Sequence, residues 1–143
     1  MIDGVRLHPL KQIALPKGDL WHAFKATDEG FAGFGEAYFT QVHFGETKGW
    51  KRHNRYTLNI VVVQGEIRFV IYDDREGSVT KGQFEEITLS PNTNYQRLTV
   101  APGLWMAFHG EGKEVNMLMD LIPEVHDADE SDKKELNEIN YQF

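Results

Sequence analysis

The segment that most constrains the fold is TLNIVVVQGEIRFVIYDDREG, residues 57–77, in which two runs of β-branched residues flank Gln64-Gly65-Glu66. Val, Ile and Thr favour strands because their branched side chains pack well on a pleated surface. A short break containing glycine between two such runs predicts two paired strands joined by a tight turn. The run IVVV, residues 60–63, predicts burial on both faces. We therefore expect the core to be built from β-sheet.

Short extended segments recur along the rest of the chain. FEEITLS, YQRLTVAP and WMAFHG are separated by the turn signals PNTN and PG, and GEAYFTQVHFGETKGW precedes the central segment. Short strands at near-regular spacing, with almost no helical periodicity, predict an antiparallel sandwich or barrel. The acidic stretch EVHDADESDKKELNEI is expected to form a solvated cap containing a short helix or a loop. The length of 143 residues suits one domain, 1–143.

Composition narrows the class of protein. The chain has no cysteine, so we expect neither disulfides nor a thiolate metal site. No apolar run approaches the roughly 18 residues of a membrane span, and the N-terminus lacks the apolar core of a signal peptide. We therefore expect a cytoplasmic protein that does not enter a membrane. The formal net charge of -7 argues against nucleic acid, which requires an extended basic face.

The stretch KGWKRHNR, Lys48–Arg55, is exceptional because it places four cations and a histidine in an acidic chain. It could hold a small anion, or it could form a charged strand edge that discourages aggregation. If one strand runs from Trp50 through Val63, period two places a polar row on one face. Pointing inward, that row would line a ligand cavity, and pointing outward it would be a solvated surface. The row consists of Lys51, His53, Arg55, Thr57 and Asn59.

Several blocks, in order and spacing, resemble a known family. They are IDGVRLHPL, GEAYFTQVHFGETKGWKRH, VVVQGEIRFVIYDDREGS, YQRLTVAPGLWMAFHG and VNMLMDLI. Together they resemble the cupins typified by dTDP-4-dehydrorhamnose 3,5-epimerase, over residues 2 to about 122. The resemblance implies an all-β fold, the double-stranded β-helix or cupin jelly roll. It also implies a homodimer, formed partly through residues 1–40, and no metal or other cofactor.

The resemblance also implies a reaction. Family substrates are nucleotide-diphosphate-linked 4-keto-6-deoxy sugars, from which a histidine base removes a proton next to the ketone while an acid tyrosine protonates the enolate from the other side. The position of that base is Lys51 here, and His53 is the nearest imidazole. Met106 stands at a second histidine position, and residues 115–120, where the acid tyrosine should fall, contain no tyrosine. The late aspartate that orients the base falls near Asn140 and Gln142.

These comparisons leave named candidates for each role. The base is His53 or Lys51, and His53 is favoured because its ordinary pKa of about 6.5 suits proton transfer at neutral pH. The acid is Tyr56, Tyr72 or Tyr95. We expect the diphosphate to be held by Lys48 and Arg55, because guanidinium and ammonium groups bind phosphate through charge-assisted hydrogen bonds. Further substrate contacts are expected from Asn59, Arg75 and Trp105.

Other functions of the same fold remain open. Sugar-nucleotide 3,4-ketoisomerases have a proline-glycine-x-tryptophan turn similar to PGLW of this chain, and they use two histidines two residues apart, of which Lys51-Arg52-His53 retains one. A cupin that binds a sugar nucleotide without catalysis, or an inert structural dimer, fits the substituted positions equally well. Only His53 matches the histidines of a cupin metal site, and a protonated lysine cannot ligate, so no metal is expected.

Overall fold

The computed structural model describes all residues 1–143, which form two facing β-sheets and a small hairpin. Eleven of the strands fall in residues 5–122 and one follows a short 3-10 helix near the C-terminus. The strands are β1 (Val5–Pro9), β2 (Gln12–Ile13), β3 (Leu20–Trp21), β4 (Glu36–Gln41), β5 (Thr47–His53), β6 (Leu58–Gln64), β7 (Ile67–Tyr72), β8 (Phe84–Leu89), β9 (Gln96–Val100), β10 (Trp105–Gly110), β11 (Met117–Ile122) and β12 (Ser131–Lys133).

The two sheets are antiparallel and five-stranded. The first sheet has the order β1-β9-β6-β11-β4, the second has the order β12-β5-β10-β7-β8, and β2 pairs only with β3. The chain passes back and forth between the sheets, which is the jelly-roll arrangement. The predicted all-β cupin fold is therefore confirmed. A cluster of 17 buried hydrophobic residues fills one part of the space between the sheets, and a cavity occupies another.

The turn at Gln64-Gly65-Glu66 corrects one prediction. It does not join paired strands, because β6 lies in the first sheet between β9 and β11, whereas β7 lies in the second between β8 and β10. Gly65 has a φ of +76°, and a Cβ there would lie 2.3 Å from Asn116 Oδ1. Periodicity in the sequence predicts where a strand lies but not its partner. The predicted burial of IVVV is confirmed for Ile60, Val61 and Val62.

The single strand from Trp50 through Val63, the condition on which the continuous polar row depends, does not form. β5 ends at His53 in the second sheet, and β6 begins at Leu58 in the first. The polar row is divided by this crossing. Lys51 and His53 face the space between the sheets, whereas Asn59 faces the outside of the first sheet.

The C-terminal region is more than the solvated cap that the sequence predicts. The 3-10 helices Ala128–Glu130 and Leu136–Glu138 flank β12, which pairs with β5. Glu130 is buried, and neither helix is long enough to span a membrane. Tyr141 and Phe143 pack against a second apolar cluster on the outer face of the second sheet. The buried members of that cluster are Trp50, Val70, Trp105, Ala107 and Ile139.

Candidate active site

A cavity of about 620 Å³ opens between the inner faces of the two sheets. This volume lies within the range of ligand pockets in proteins, about 300–1,000 Å³. Its apolar lining comes from both sheets and includes Leu58 and Leu118 of the first sheet and Phe108 of the second. The lining also carries many polar side chains, and four of them lie on the facing strands of the two sheets and can take part in proton transfer or charge stabilisation. They are Tyr38 and Asp120 from the first sheet and Lys51 and His53 from the second.

An irregularity in β5 sets which of its side chains enter the cavity. The register between β5 and β10 is interrupted around Ala107. Opposite it, Gly49 has a φ of +145°, and a Cβ there would lie 2.6 Å from the Cβ of Ala107. Glycine therefore lets the two strands approach closely. Beyond it Trp50 turns to the outer apolar cluster, while Lys51 and His53 line the cavity.

His53 is held by a buried carboxylate. Its Nδ1 lies 2.6 Å from Oε1 of Glu130, whose side chain is fully buried. The other carboxylate oxygen accepts hydrogen bonds from the backbone N–H groups of Arg55 and Tyr56, at 2.7 and 2.9 Å. The ring of Tyr56 stacks on the imidazole with centroids 5.4 Å apart. The orientation of the imidazole is thus fixed on two sides.

The charges of this pair follow from its surroundings. Burial lowers the pKa of His53 below its ordinary value, and the opposing effect of Glu130 does not overcome it. Burial alone would raise the pKa of Glu130, but the hydrogen bonds from His53 and the two backbone groups lower it below its usual value. A neutral imidazole therefore donates its Nδ1 hydrogen to an ionised carboxylate. Nε2 keeps its lone pair and makes no protein hydrogen bond.

A second polar pair lies on the opposite wall. The hydroxyl of Tyr38 on β4 donates to Oδ2 of Asp120 on β11 at 3.1 Å. Asp120 is 6% exposed, and its other oxygen, Oδ1, is buried without a partner. Burial raises the pKa of this carboxyl to about 7. Burial and the neighbouring Asp120 also raise the pKa of Tyr38, so its hydroxyl keeps its proton.

Lys51 is the cation of the cavity interior. Its side chain lines the cavity and makes no hydrogen bond or ion pair within the protein. Its charge lowers the pKa of both His53 and Asp120, which shows that it lies near both walls. The ammonium group is thus available to a negative charge that develops on a bound molecule.

The basic stretch that is conspicuous in the sequence divides into two halves. Arg52 lies on the outer side of β5 and pairs with Asp132 at 2.7 Å. Arg55, in the corner after β5, is half exposed and donates to Glu124 at 2.8 Å. Surface carboxylates therefore neutralise both arginines, and neither lines the cavity. The two lysines of the stretch do line it.

The other predicted substrate contacts lie away from the cavity. Asn59 is buried on the outer face of the first sheet, beneath residues 29–30. Arg75 is bound to Asp73 at 2.9 Å, in a loop after β7. Trp105 belongs to the outer apolar cluster, and its Nε1 donates to Asp74 at 3.0 Å. Each of these polar groups already has a structural partner.

The predicted acids are also engaged elsewhere. Tyr56 is buried and donates its hydroxyl to the carbonyl of Val125 at 3.0 Å. Tyr95 donates to the carbonyl of His22 at 2.7 Å, and Tyr72 packs on the outer face of the second sheet. None of the three lines the cavity.

Three residues of the site are absent from the sequence-based predictions. Asp120 carried a usable signal, because it interrupts the apolar run MLMDLI at the parity of the inward residues Leu118 and Ile122. Tyr38 shares a strand face with Thr40, which also lines the cavity, but the alternation of β4 is too weak to show which face is internal. Glu130 had no signal, since it lies among many acidic residues.

No family model matches the chain. A dTDP sugar isomerase from Desulfovibrio desulfuricans G20 is 31% identical, with a TM-score of 0.94 over 99% of this chain and 91% of that chain. The probable low-salt glycan biosynthesis epimerase Agl13 of Haloferax volcanii is 26% identical over 137 residues, 94% of this chain and 87% of that protein.

A third comparison bears on the fold alone. A variant of ChmJ, a 3'-monoepimerase from Streptomyces bikiniensis in complex with dTDP, is 18% identical, with a TM-score of 0.86 over 99% of this chain and 76% of that chain. The jelly-roll fold and the 31% identity to the Desulfovibrio protein, over 99% of this chain, indicate the same family. The chain belongs to the cupin family typified by dTDP-4-dehydrorhamnose 3,5-epimerase.

Proposed function

We propose that the protein is an epimerase or isomerase of a nucleotide-diphosphate-linked 4-keto-6-deoxy sugar, acting by proton transfer next to the ketone. The observation that carries the proposal is the neutral imidazole of His53, oriented by buried Glu130 and presented to a cavity of about 620 Å³. A base held in one tautomer, with its lone pair free, is what proton abstraction requires. The 31% identical protein is a dTDP sugar isomerase, which supports this substrate class.

The first half of the reaction follows from the residues of the second sheet. His53 Nε2 removes a proton from the carbon beside the ketone, and the electrons of that C–H bond form an enolate. The negative charge then develops on the ketone oxygen. The unpaired ammonium group of Lys51 stabilises it, because a charge placed in advance in a cavity of low dielectric costs no reorganisation. Lys51 thus stabilises the enolate, and His53 acts as the base.

We expect the diphosphate to bind beside Lys48 and Lys133, which line the cavity and form no ion pair within the protein. Lys134 also lines the cavity, but its ammonium group lies 4.9 Å from the centroid of the Trp105 ring. Unpaired cations at an opening attract a doubly charged diphosphate and orient the sugar inward. Glu135 and Glu138 also line the cavity, so the lysines must outweigh two nearby carboxylates.

Deuterium exchange tests the proposal directly. The protein is incubated with dTDP-4-keto-6-deoxyglucose in deuterated buffer, and the ring protons are followed by NMR. We expect exchange next to the ketone, and the product distinguishes an epimerase from a 3,4-ketoisomerase. His53→Gln should abolish exchange, whereas the matched variant His126→Gln, an exposed histidine outside the cavity, should retain it.

One outcome would contradict this function, and a second would contradict the assignment of its base. Wild-type protein that binds dTDP but exchanges no sugar proton, with several 4-keto sugars tried, would leave only a binding protein. Exchange that survives in His53→Gln but disappears in Lys51→Met would move the base to Lys51.

The oligomeric state is part of the proposal. The β2–β3 hairpin stands outside both sheets and exposes Ile13, Leu15, Leu20 and Trp21, each 40–50% accessible. Exposed apolar groups on a hairpin outside the main sheets favour burial against another subunit. We therefore infer a homodimer formed partly through residues 1–40. Sedimentation of a monomer at tens of micromolar would contradict it.

A further inference from the structure

The packing of the core does not explain why a carboxyl group, that of Asp120, is buried at this position. It lies on the inner face of β11 between the core residues Leu118 and Ile122, where an apolar side chain would be expected. Only one of its two oxygens is bonded, to the hydroxyl of Tyr38, and Oδ1 is buried without a partner. An unpaired buried polar atom costs stability, so a group of this kind indicates a function in the cavity that it lines.

The position of Asp120 complements that of His53. Asp120 belongs to the first sheet and His53 to the second, so the two groups face the cavity from opposite walls. A sugar held between the sheets would present one face to each group. The two walls therefore offer the two proton-transfer groups that an epimerisation or an isomerisation beside a ketone needs.

The protonation states of Asp120 and His53 fit the roles of acid and base. The pKa of Asp120, about 7, keeps much of this carboxyl neutral at neutral pH, whereas His53 is unprotonated there. Tyr38 is the weaker acid of the two, because its own pKa is raised and its hydroxyl hydrogen is donated to the carboxyl. Tyr38 is therefore a positioning residue.

We propose that Asp120 is the second proton-transfer group of the site, an acid that protonates the enolate which His53 generates. This inference rests on the proposed function. The C=C electrons of the enolate form a new C–H bond with the proton of Asp120, and the ketone C=O forms again. The turnover leaves Asp120 as a carboxylate and His53 as an imidazolium. Exchange of one proton each with solvent restores both groups.

The test separates the two proton transfers in one sample. With dTDP-4-keto-6-deoxyglucose in deuterated buffer, exchange at the carbon facing His53 reports the first transfer, and product formation reports the second. Asp120→Asn should slow product formation by about 100-fold or more, the usual contribution of a general acid, while exchange and dTDP binding persist. Exchange retained without product is the outcome that the proposal requires.

A second variant keeps the proposal testable if Asp120→Asn is perturbed elsewhere. The Tyr38 hydroxyl lowers the pKa of Asp120, so Tyr38→Phe should move the alkaline limb of product formation to higher pH. A merely structural Tyr38 would leave that limb in place.

Each failure has its own signature. Product formed by Asp120→Asn at the wild-type rate would overturn the assignment of Asp120 and leave the function intact. Loss of exchange together with product, with dTDP binding retained, would likewise overturn it, because Asp120 would then act in the first transfer. Wild-type protein without exchange or product would instead overturn the proposed function itself.

Discussion

Glu130 and Asp120 are two carboxyl groups buried to a similar degree, 3% and 6% exposed, and their pKa values lie on opposite sides of normal. Glu130 accepts three hydrogen bonds, from His53 and from two backbone N–H groups. Asp120 accepts one side-chain hydrogen bond, from Tyr38, and one of its oxygens has no partner. Burial acts to raise both pKa values, and the three donors reverse its effect at Glu130, whereas the fewer donors at Asp120 do not.

The comparison shows how one cavity can hold a base and an acid at the same pH. Burial keeps the imidazole of His53 neutral against the opposing effect of Glu130, and the fully bonded carboxylate holds the ring in the tautomer that suits the proposed base. A poorly bonded carboxyl retains a proton, which makes an acid of Asp120. The two walls thus carry opposite chemistry because their hydrogen-bond partners differ.

Removing the charge of Glu130 should have the largest effect. Glu130→Gln places an amide N–H opposite Nδ1 of His53, so the ring hydrogen moves to Nε2 and the lone pair is lost. We expect a loss of about 10³–10⁴-fold in rate, as for other imidazoles held in the wrong tautomer. The free energy of unfolding should fall by about 1–3 kcal/mol. Product formation and urea unfolding measure the two effects.

The matched control is Asp129→Asn, which changes the exposed carboxylate next to Glu130. It should leave both quantities near the wild-type values. A Glu130→Gln protein within threefold of the wild-type rate would mean that Glu130 does not orient the base.

Asp120 should make the folded chain less stable as pH rises, which is opposite to the effect of a carboxyl such as Glu130 whose pKa is lowered in the folded chain. Its pKa is about 7 in the folded chain against an ordinary 3.8, so between these values the folded chain keeps a proton that the unfolded chain releases. The free energy of unfolding should therefore fall as pH rises from about 4 to 7, by up to about 4 kcal/mol. Asp120→Asn removes this pH dependence, so the free energy of unfolding of the variant should increase relative to that of wild type as pH rises.

Urea unfolding of both proteins at pH 5, 6, 7 and 8 measures this difference. A difference that is the same at every pH would show that Asp120 is ionised throughout, and the contrast with Glu130 would then disappear.

The smallest effect is expected at the exposed pair of Arg55 and Glu124, a third setting for a carboxylate. Solvent screens this ion pair, so Arg55→Ala should leave the urea midpoint almost unchanged. Calorimetry with dTDP should also give an affinity within twofold of wild type, because the side chain lies outside the cavity. Lys48→Ala should weaken binding severalfold. Equal losses of dTDP affinity in Arg55→Ala and Lys48→Ala would mean that Arg55 contacts the diphosphate.

The sequence predicted the elements better than their partners. The strand positions and the jelly roll follow from β-branched runs, turn residues and family resemblance. The pairing across Gly65 was wrong because a tight turn can join two strands of one sheet or cross between sheets. The same limit applies to the strand that ends at His53, where the chain changes sheets.

The site was predictable only in part. Lys51 and His53 could be placed on a common face because period two needs no knowledge of tertiary structure. Glu130 could not be found, since its role depends on a contact across 77 residues of sequence. The role of Asp120 depends on the absence of partners, which no local pattern displays.

The pairing of β12 with β5 bears on the order of events during synthesis. The proposed base of the site is residue 53, but the carboxylate that orients it and the strand that covers its edge come from residues 130–133. A growing chain can contain both walls of the cavity before this last strand emerges, yet it holds no oriented imidazole. Proton-transfer competence therefore arises late, after most of the core can already have condensed.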